Sequence, residues 1–317
     1  MKTPSISFLA GLMMLTSCKD QSNTLYTPQF TPWEITNSSS DNISWSKFKW
    51  VNGNLGSKFY ERIALNVPCR IDGVQWPVAF QLDLGADVTG VDELTFKSFY
   101  PANPGLQSKI KSAGSNKYYD NLTLEFDSFT ATKKSSYVYQ NIGGVQSLNA
   151  GDTIRIGTIG ADIFQSTVLI IDYPNERFAY CKTLPADLAS NLIDITLDQQ
   201  GCVILPMQYG GKSLRILFDT GSSIFPILTD PDKISWFSTS PDVEVLEVPS
   251  WGKTYTFTGK AMTGSFVLAG QTFSNVNAYS STRNLGTGIN YDGITGNVLF
   301  WNRTIAIDFM NKKFGIK

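Results

Sequence analysis

The chain of 317 residues contains no histidine. This absence excludes catalysis by a Ser-His-Asp triad or a Cys-His pair, and it also excludes imidazole-ligated zinc and histidine pH switches. Any acid–base chemistry must therefore rely on carboxylates. The sequence predicts neither a metal site nor a cofactor.

Charged residues are also scarce, at 17% of the chain, and the net charge is −1. A protein that binds nucleic acid or an anionic membrane surface usually carries a basic patch, and no dense run of Lys and Arg is present. Nucleic acid is therefore excluded as a predicted partner. A hydrophobic content of 42% is enough for two modest globular lobes.

The chain has only four cysteines. Cys18 ends the N-terminal apolar region, which leaves Cys69, Cys181 and Cys202, an odd number. At most one disulfide can form within the chain, and Cys181 with Cys202 is one possible pair. Three buried thiols are the other possibility.

The N-terminus has the pattern of an export signal. Residues 1–17 contain Lys2 and an apolar stretch at residues 6–15, which is too short to span a bilayer. The segment Leu-Thr-Ser-Cys18 resembles a bacterial lipobox, which implies cleavage before Cys18 and lipidation of that residue. This predicts a location in the bacterial cell envelope, on the periplasmic face or cell surface, with membrane contact through the lipid anchor only. An ordinary secretory signal is the alternative.

Residues 18–44 are rich in Ser, Thr, Asn, Gln and Pro and are predicted to be a tether. From residue 45 onward, short alternating or apolar runs recur about every ten residues and are separated by turn residues such as Asp72-Gly73 and Gly210-Gly211. This spacing predicts an all-β architecture.

The most informative feature is an internal repeat at an offset of 136 residues. Three blocks recur in register: Phe-Gln-Leu-Asp83-Leu-Gly-Ala and Ile-Leu-Phe-Asp219-Thr-Gly-Ser; Gly-Thr-Ile-Gly160 and Gly-Ile-Thr-Gly296; Ile-Asp172-Tyr-Pro-Asn-Glu-Arg-Phe and Ile-Asp308-Phe-Met-Asn-Lys-Lys-Phe. One Asp-x-Gly pair can arise by chance, but three blocks at one offset indicate two related halves.

These motifs resemble those of the bilobal aspartic peptidases of pepsin type, and each half separately is similar to the retropepsins. The resemblance covers roughly residues 60 to 317. It implies two pseudo-twofold-related β-barrel lobes of the acid-protease type, at residues 45–184 and 185–317, with a cleft between them. It also implies a supporting loop around each aspartate, formed by Leu84, Gly85, Ala86, Thr220, Gly221 and Ser222.

Asp83 and Asp219 are the predicted catalytic pair. Two facing carboxylates hold one proton between them because like charges oppose double ionisation. The ionised carboxylate can then take a proton from water while the neutral carboxyl donates to the substrate carbonyl, which is the general mechanism of aspartic proteases as a class. For either aspartate alone, a turn or N-cap role is the alternative. Asp172 and Asp308 also repeat, and they are interpreted as structural.

Two details refine the resemblance. The family usually has Thr or Ser after each catalytic aspartate, to bond the opposite loop, and here Thr220 keeps the hydroxyl while Leu84 lacks it. The resemblance also implies a flap with an aromatic residue over the cleft. Tyr118 or Tyr119 is the first-half candidate, and the segment at residues 251–255 is the second-half candidate.

The sequence therefore predicts a lipid-anchored aspartic endopeptidase that acts on peptide or protein substrates. The alternative favoured by Leu84 is a peptide- or ligand-binding lipoprotein that keeps the scaffold without efficient chemistry. A purely structural envelope lipoprotein is a third possibility, but it leaves both Asp-x-Gly loops without a role.

Overall fold

A computed structural model describes residues 26–37, 43–146, 148, 153–189, 192–282, 285 and 291–317. The predicted signal sequence and the predicted lipidation site at Cys18 lie outside these residues. Within the described ranges, no helix reaches the length and apolar character that crossing a bilayer requires.

The described residues form 25 strands. Those of the first half are β1 (Glu34–Asn37), β2 (Ile43–Lys47), β3 (Lys49–Leu55), β4 (Lys58–Ile71), β5 (Val78–Leu82), β6 (Gly90–Asp92), β7 (Ile110–Ala113), β8 (Asn116–Glu125), β9 (Phe129–Tyr139), β10 (Ile154–Ile159), β11 (Val168–Asp172) and β12 (Arg177–Cys181).

Those of the second half are β13 (Ile193–Asp194), β14 (Thr196–Leu197), β15 (Val203–Tyr209), β16 (Lys212–Phe218), β17 (Ile227–Thr229), β18 (Asp242–Ser250), β19 (Lys253–Ala261), β20 (Ser265–Leu268), β21 (Gln271–Ser274), β22 (Asn277–Ser281), β23 (Gly293–Thr295), β24 (Thr304–Asp308) and β25 (Lys313–Ile316).

Helices are short. The α-helices of the described residues are α1 (Glu93–Phe96) and α2 (Ile234–Phe237). Short 3-10 segments occur at Lys97–Phe99, Pro104–Lys109, Ala161–Ile163, Tyr173–Asn175, Ala186–Leu188, Thr220–Ser222 and Asn297–Phe300. The prediction of an all-β chain is confirmed.

Each lobe is built on one sheet, and the two sheets share a central topology. In the first lobe, β10 lies between β5, to which it is parallel, and β6, to which it is antiparallel. In the second lobe, β23 lies in the same way between β16 and β17. The next strand of each sheet is parallel to its neighbour: β9 is parallel to β6 in the first lobe, and β22 is parallel to β17 in the second. The two halves thus repeat one arrangement, as predicted.

A third, six-stranded sheet joins the lobes in the order β13-β25-β24-β11-β12-β2. At its centre β11 pairs antiparallel with β24, and Ile170 lies opposite Ala306, its own equivalent at the repeat offset. A residue can face its own equivalent only at a twofold axis. The predicted pseudo-twofold axis therefore passes through this strand pair.

Strand β11, at the centre of the six-stranded sheet, is buried on both faces, since all five of its residues are buried. Leu169 and Ile171 face the large core shared by the lobes, whereas Val168 and Ile170 face a smaller cluster that includes Cys181. This alternation follows from the two-residue period of a strand. Cys181, Cys69 and Cys202 are all buried free thiols, so the possible Cys181–Cys202 disulfide is not formed.

Part of the predicted tether is folded. β1 pairs antiparallel with β9, and the side chain of Trp33, just before it, is buried. The Trp33 indole N–H donates a hydrogen bond of 2.8 Å to Asp162 Oδ2, and Ile35 packs against the core. The Ser- and Asn-rich composition of the segment does not indicate this packing. Burial of Trp33 and Ile35 offsets the entropic cost of ordering the segment.

Candidate active site

Each predicted catalytic aspartate directly follows a buried strand and is held by the same backbone contacts. The Asp83 N–H donates to the Ile159 carbonyl at 2.9 Å, and the Asp219 N–H donates to the Thr295 carbonyl at 2.9 Å. The backbone N–H of Ala86 donates to the Asp83 carbonyl, and that of Ser222 donates to the Asp219 carbonyl, both at 3.1 Å. The parallel strand pairs β5–β10 and β16–β23 therefore fix both aspartates in equivalent positions.

The two carboxyl groups meet across the pseudo-twofold axis, each lying over the glycine of the opposite loop. A β-carbon built on Gly85 would lie 2.4 Å from Asp219 Cγ, and one built on Gly221 would lie 2.6 Å from Asp83 Cγ. These distances are too short for any side chain. Glycine is therefore required at both positions because it lets the loops approach closely enough to bring the carboxylates together.

Thr220 joins the two loops beneath the carboxylates. Its hydroxyl accepts a hydrogen bond of 2.9 Å from the Leu84 N–H and donates one of 2.8 Å to the Leu82 carbonyl. Leu84, the repeat equivalent of Thr220, makes no reciprocal hydroxyl contact and is completely buried in the core. One half of the expected cross-brace is thus present, and apolar packing of Leu84 replaces the other half.

The pair is asymmetric in its hydrogen bonds. The Asp219 carboxylate accepts from the Gly221 N–H at 2.8 Å and from Ser222 Oγ at 2.6 Å. Ala86 stands at the position equivalent to Ser222 and offers Asp83 no hydroxyl. Donors of this kind stabilise the ionised form of a carboxyl group. Asp219 is therefore the better site for the negative charge.

Burial raises the pKa of Asp83 well above its ordinary value, and the neighbouring negative charge of Asp219 and the hydrogen bond between the two raise it further. Backbone donors at Ala86 and Gly85 oppose the shift without cancelling it. Asp83 therefore favours its neutral form, and the two carboxyls can share one proton. The sequence alone did not show this preference.

The raised pKa of Asp83 makes the stability of the folded protein depend on pH. An unfolded aspartate has a pKa of about 3.9, so from about pH 4 up to the raised pKa of Asp83 the folded state binds more protons than the unfolded chain. Stability due to this group therefore falls as the pH rises through that window. We expect Asp83→Asn to unfold at a higher urea concentration than the wild type at pH 7 and to lose that advantage near pH 3.

Urea unfolding at several pH values tests this expectation, with Asp232→Asn as the control for removing an exposed aspartate. An Asp83→Asn protein less stable than the wild type at pH 7 would contradict the assignment of the proton.

Polar residues that the sequence motifs do not indicate form hydrogen bonds that support the Asp219 loop and the Gly160 segment. The Asn297 amide donates to the Thr220 carbonyl at 2.9 Å and to Ser223 Oγ at 3.1 Å, and its oxygen accepts from the Tyr173 hydroxyl at 2.7 Å. In the first lobe, Thr89 Oγ1 accepts from the Gly160 N–H at 3.0 Å. Sequence motifs show neither contact because the partners lie more than 70 residues apart.

The carboxyl pair opens into a cavity of about 390 Å³. Its walls come from both lobes and consist of Gln81, Asp83, Ile142, Gly143, Arg155, Thr158, Asp219, Gly221, Ser222, Pro249, Ser250, Trp251 and Gly252. A neighbouring cavity of about 510 Å³ is lined by Ala86, Asp87, Val88, Tyr137, Tyr139 and Trp251. Both aspartates thus face a space large enough for a few residues of an extended peptide.

The hairpin β18–β19 of the second lobe covers this space. Trp251 and Gly252 form its two-residue turn with φ values of 49° and 76°, the positive angles of a type I′ turn. The Trp251 ring lies 4.9 Å, centroid to centroid, from that of Tyr139, and the turn also approaches Ile142 of the first lobe. The second-half candidate segment therefore lies over the carboxylates.

Tyr118 and Tyr119, the predicted first-half flap residues, do not line the dyad cavity. Both are buried in β8, where Tyr118 packs against Tyr26 and Tyr137 and Tyr119 packs against Phe96. The covering hairpin of this chain therefore belongs to the second lobe and carries Trp251, which corrects the assignment of the flap to Tyr118 or Tyr119. These tyrosines serve as core residues, an outcome that aromatic side chains in a β lobe commonly have.

The repeated aspartates outside the site have structural contacts. Asp172 accepts hydrogen bonds from Asn175 and Arg177, and these contacts hold its pKa below the ordinary value although burial opposes them. Asp308 accepts from the backbone and side chain of Asn311. Within the described residues, no cluster of metal-binding side chains occurs.

Comparison with known proteins gives structural likeness only. No protein-family model and no curated protein sequence matches the chain. Among solved structures, it is similar to an aspartic proteinase from Irpex lacteus, with 13% identity and a TM-score of 0.44, over 86% of this chain and 96% of that one. It is also similar to basic 7S globulin from soybean, with 11% identity and a TM-score of 0.44, over 87% of this chain and 95% of that one.

Proposed function

We propose that the chain is an aspartic-type endopeptidase in which Asp83 and Asp219 activate water for hydrolysis of a peptide bond. The observation that carries this proposal is the reciprocal placement of the carboxyls, each over the glycine of the opposite loop at the floor of an open cavity. A turn or capping role explains one such aspartate. It does not explain two that approach each other across a twofold axis.

The hydrogen bonds assign different tasks to the two residues. Asp219, stabilised as the anion by Gly221 and Ser222, takes a proton from the attacking water. Asp83, which carries the shared proton, donates it to the carbonyl oxygen of the substrate as the tetrahedral intermediate forms. As the C–N bond breaks, Asp219 passes its proton to the leaving amine nitrogen. Asp83 takes a proton back from a hydroxyl of the intermediate, which leaves a carboxylic acid product and returns the pair to its singly protonated state.

The hairpin β18–β19 supplies a cover for this reaction. Closure of a loop over an active site excludes water and strengthens electrostatic interactions inside it. Trp251 at the turn is 41% exposed, so its ring offers an apolar surface at the cavity mouth. An extended peptide held under this hairpin would have its backbone close to both carboxylates.

The decisive experiment is a broad peptide-library screen of the wild-type protein between pH 3 and pH 7, with a chelator present throughout. We expect cleavage on the acid side of neutrality because the dyad must carry one proton.

The buried Leu84 favours a second candidate function, a peptide- or ligand-binding protein on the same scaffold. That function is favoured if nothing is cleaved while a ligand binds and its binding survives both Asp83→Asn and Asp219→Asn.

We further propose that the mature protein begins at a lipidated Cys18 and is held in the bacterial cell envelope by its acyl chains. Two or more chains make membrane attachment stable, whereas one chain alone is marginal. We expect mass spectrometry to find an acylated N-terminal Cys18 and Cys18→Ala to leave the membrane fraction. An unmodified N-terminus, or a Cys18→Ala protein that still partitions with membranes, would contradict this anchor.

A further inference from the structure

Arg155 places a cation in the wall of the cavity that holds the dyad. It lies on β10, the strand whose end carries the Gly160 motif and holds the Asp83 loop. Its side chain is about one third exposed, at 34%. A charged residue at this position plays no part in the hydrolytic steps assigned to Asp83 and Asp219, so its presence requires a separate explanation.

The counterion of Arg155 lies behind the cavity wall. Arg155 Nη2 is 2.6 Å from Asp92 Oδ2, and the Asp92 side chain is fully buried. Arg155 Nη1 also donates to the Gly157 carbonyl at 3.4 Å. Asp92 does not line the cavity. A molecule in the cavity therefore lies beside Arg155, whereas Asp92, the carboxylate that pairs with Arg155, is outside the cavity lining.

The cavity that Arg155 lines has polar side chains beside the apolar residues Ile142, Pro249 and Trp251. Gln81, Thr158 and Ser222 line the same cavity, and each can donate or accept hydrogen bonds. Guanidinium carries five N–H donors in a planar fork that fits a carboxylate with two parallel hydrogen bonds. The contacts with Asp92 and Gly157 leave donors of this fork available for a ligand.

Arg155 also lies between two spaces. Together with Gly143 it lines both the dyad cavity and a further cavity of about 510 Å³, whose wall includes Thr95, Gly144 and Gln146. A peptide that extends from the carboxylates toward this second space would pass the guanidinium. Arg155 lies on β10 four residues before Ile159, which holds the Asp83 backbone, so it is positioned to contact a group a few residues along the peptide from the cleaved bond.

We propose that Arg155 makes the dyad cavity a carboxylate-binding subsite, so that the protein selects peptides carrying an acidic group within a few residues of the scissile bond. This inference rests on the proposed peptidase function and specifies its substrate class. The acidic group is either the side chain of Asp or Glu or the C-terminal carboxylate of a short peptide, since both present the same chemistry to the guanidinium.

Matched peptides test this proposal. A peptide cleaved in the library screen is prepared with Glu or Gln at each position flanking the cleaved bond, and with a free or an amidated C-terminus. At about pH 5 a Glu side chain is mostly ionised. We expect one acidic form to be cleaved with a kcat/KM at least about tenfold higher than its neutral counterpart, equivalent to about 1.4 kcal/mol.

Removal of Arg155 alone would leave Asp92 buried without its partner, which is strongly destabilising. The main variant is therefore the double substitution Arg155→Gln with Asp92→Asn, which removes the whole ion pair. We expect it to lose the preference, so that its ratio of kcat/KM for the acidic peptide to kcat/KM for the neutral peptide falls to about 1. Arg70→Gln, which removes a highly exposed arginine of the same lobe, is the control that should keep the preference.

Calorimetric titration provides a readout independent of catalysis. It uses short peptide analogues with reduced, uncleavable bonds in matched acidic forms (Glu, or a free C-terminus) and neutral forms (Gln, or an amidated C-terminus), and it requires no previously cleaved peptide. If nothing is cleaved but the wild type binds the acidic analogue more tightly and the double variant does not, the peptidase proposal fails and the subsite stands. If the wild type treats acidic and neutral peptides equally, or the double variant keeps the preference, Arg155 is only the structural partner of Asp92.

Discussion

Replacing either aspartate of the dyad with asparagine is expected to lower kcat for peptide cleavage by a factor on the order of 10⁴. Asp219→Asn removes the base that takes a proton from water, and Asp83→Asn removes the acid that protonates the carbonyl. Because both events belong to one step, the double variant should be little worse than either single variant. Steady-state kinetics on one peptide substrate measures all three.

Asp232→Asn is the matched control for these variants because Asp232 is exposed and lies outside both cavities. It should retain wild-type kcat and KM. The dyad assignment would be wrong if one of the two dyad variants kept wild-type activity, since that residue would then have neither of the proposed roles.

The second large effect is expected at the glycines that the carboxylates cover. The β-carbon of Gly85→Ala would lie 2.4 Å from Asp219 Cγ, and that of Gly221→Ala 2.6 Å from Asp83 Cγ. Neither contact is possible without moving a carboxylate or a loop. Since a displacement of about 1 Å can cost roughly 10²-fold in rate, we expect at least that loss in kcat from each variant.

Gly105→Ala provides the comparison, because the added β-carbon would meet only Asn103 Oδ1, at 3.3 Å. It should leave kcat unchanged. Crystal structures of the Gly85→Ala and Gly221→Ala proteins should show the opposite aspartate displaced. Wild-type activity in either variant would mean that the close approach of the loops is not required for the reaction.

The repeat allowed much of this site to be predicted from the sequence. An offset of 136 residues relates Asp83 to Asp219 and Leu84 to Thr220, and the Leu84–Thr220 hydrogen bond joins two residues at that same separation. Short motifs encode such contacts because the aspartate, its glycine and the strand before it are adjacent in the chain. The all-β class and the twofold relation followed from the same pattern.

Features that depend on tertiary packing could not be predicted in this way. Trp33 packs into the core, and its indole N–H is satisfied by Asp162, which lies far along the chain. The flap was assigned to Tyr118 or Tyr119 from the resemblance, but β8 buries both rings, and a hairpin of the other lobe covers the cavity. The sequence does not single out Arg155, because no motif marks a cation whose partner, the fully buried Asp92, lies 63 residues away.

Infrared spectroscopy of the neutral carboxyl group tests most directly the central claim that Asp83 and Asp219 share one proton. At about pH 6 most carboxyl groups are ionised, and the wild type should show a neutral-carboxyl band that is absent from Asp83→Asn. Because the Asp219 charge helps to raise the pKa of Asp83, this band should disappear at a lower pH in Asp219→Asn than in the wild type. A band that survives Asp83→Asn unchanged, or that titrates identically with and without Asp219, would contradict a shared proton.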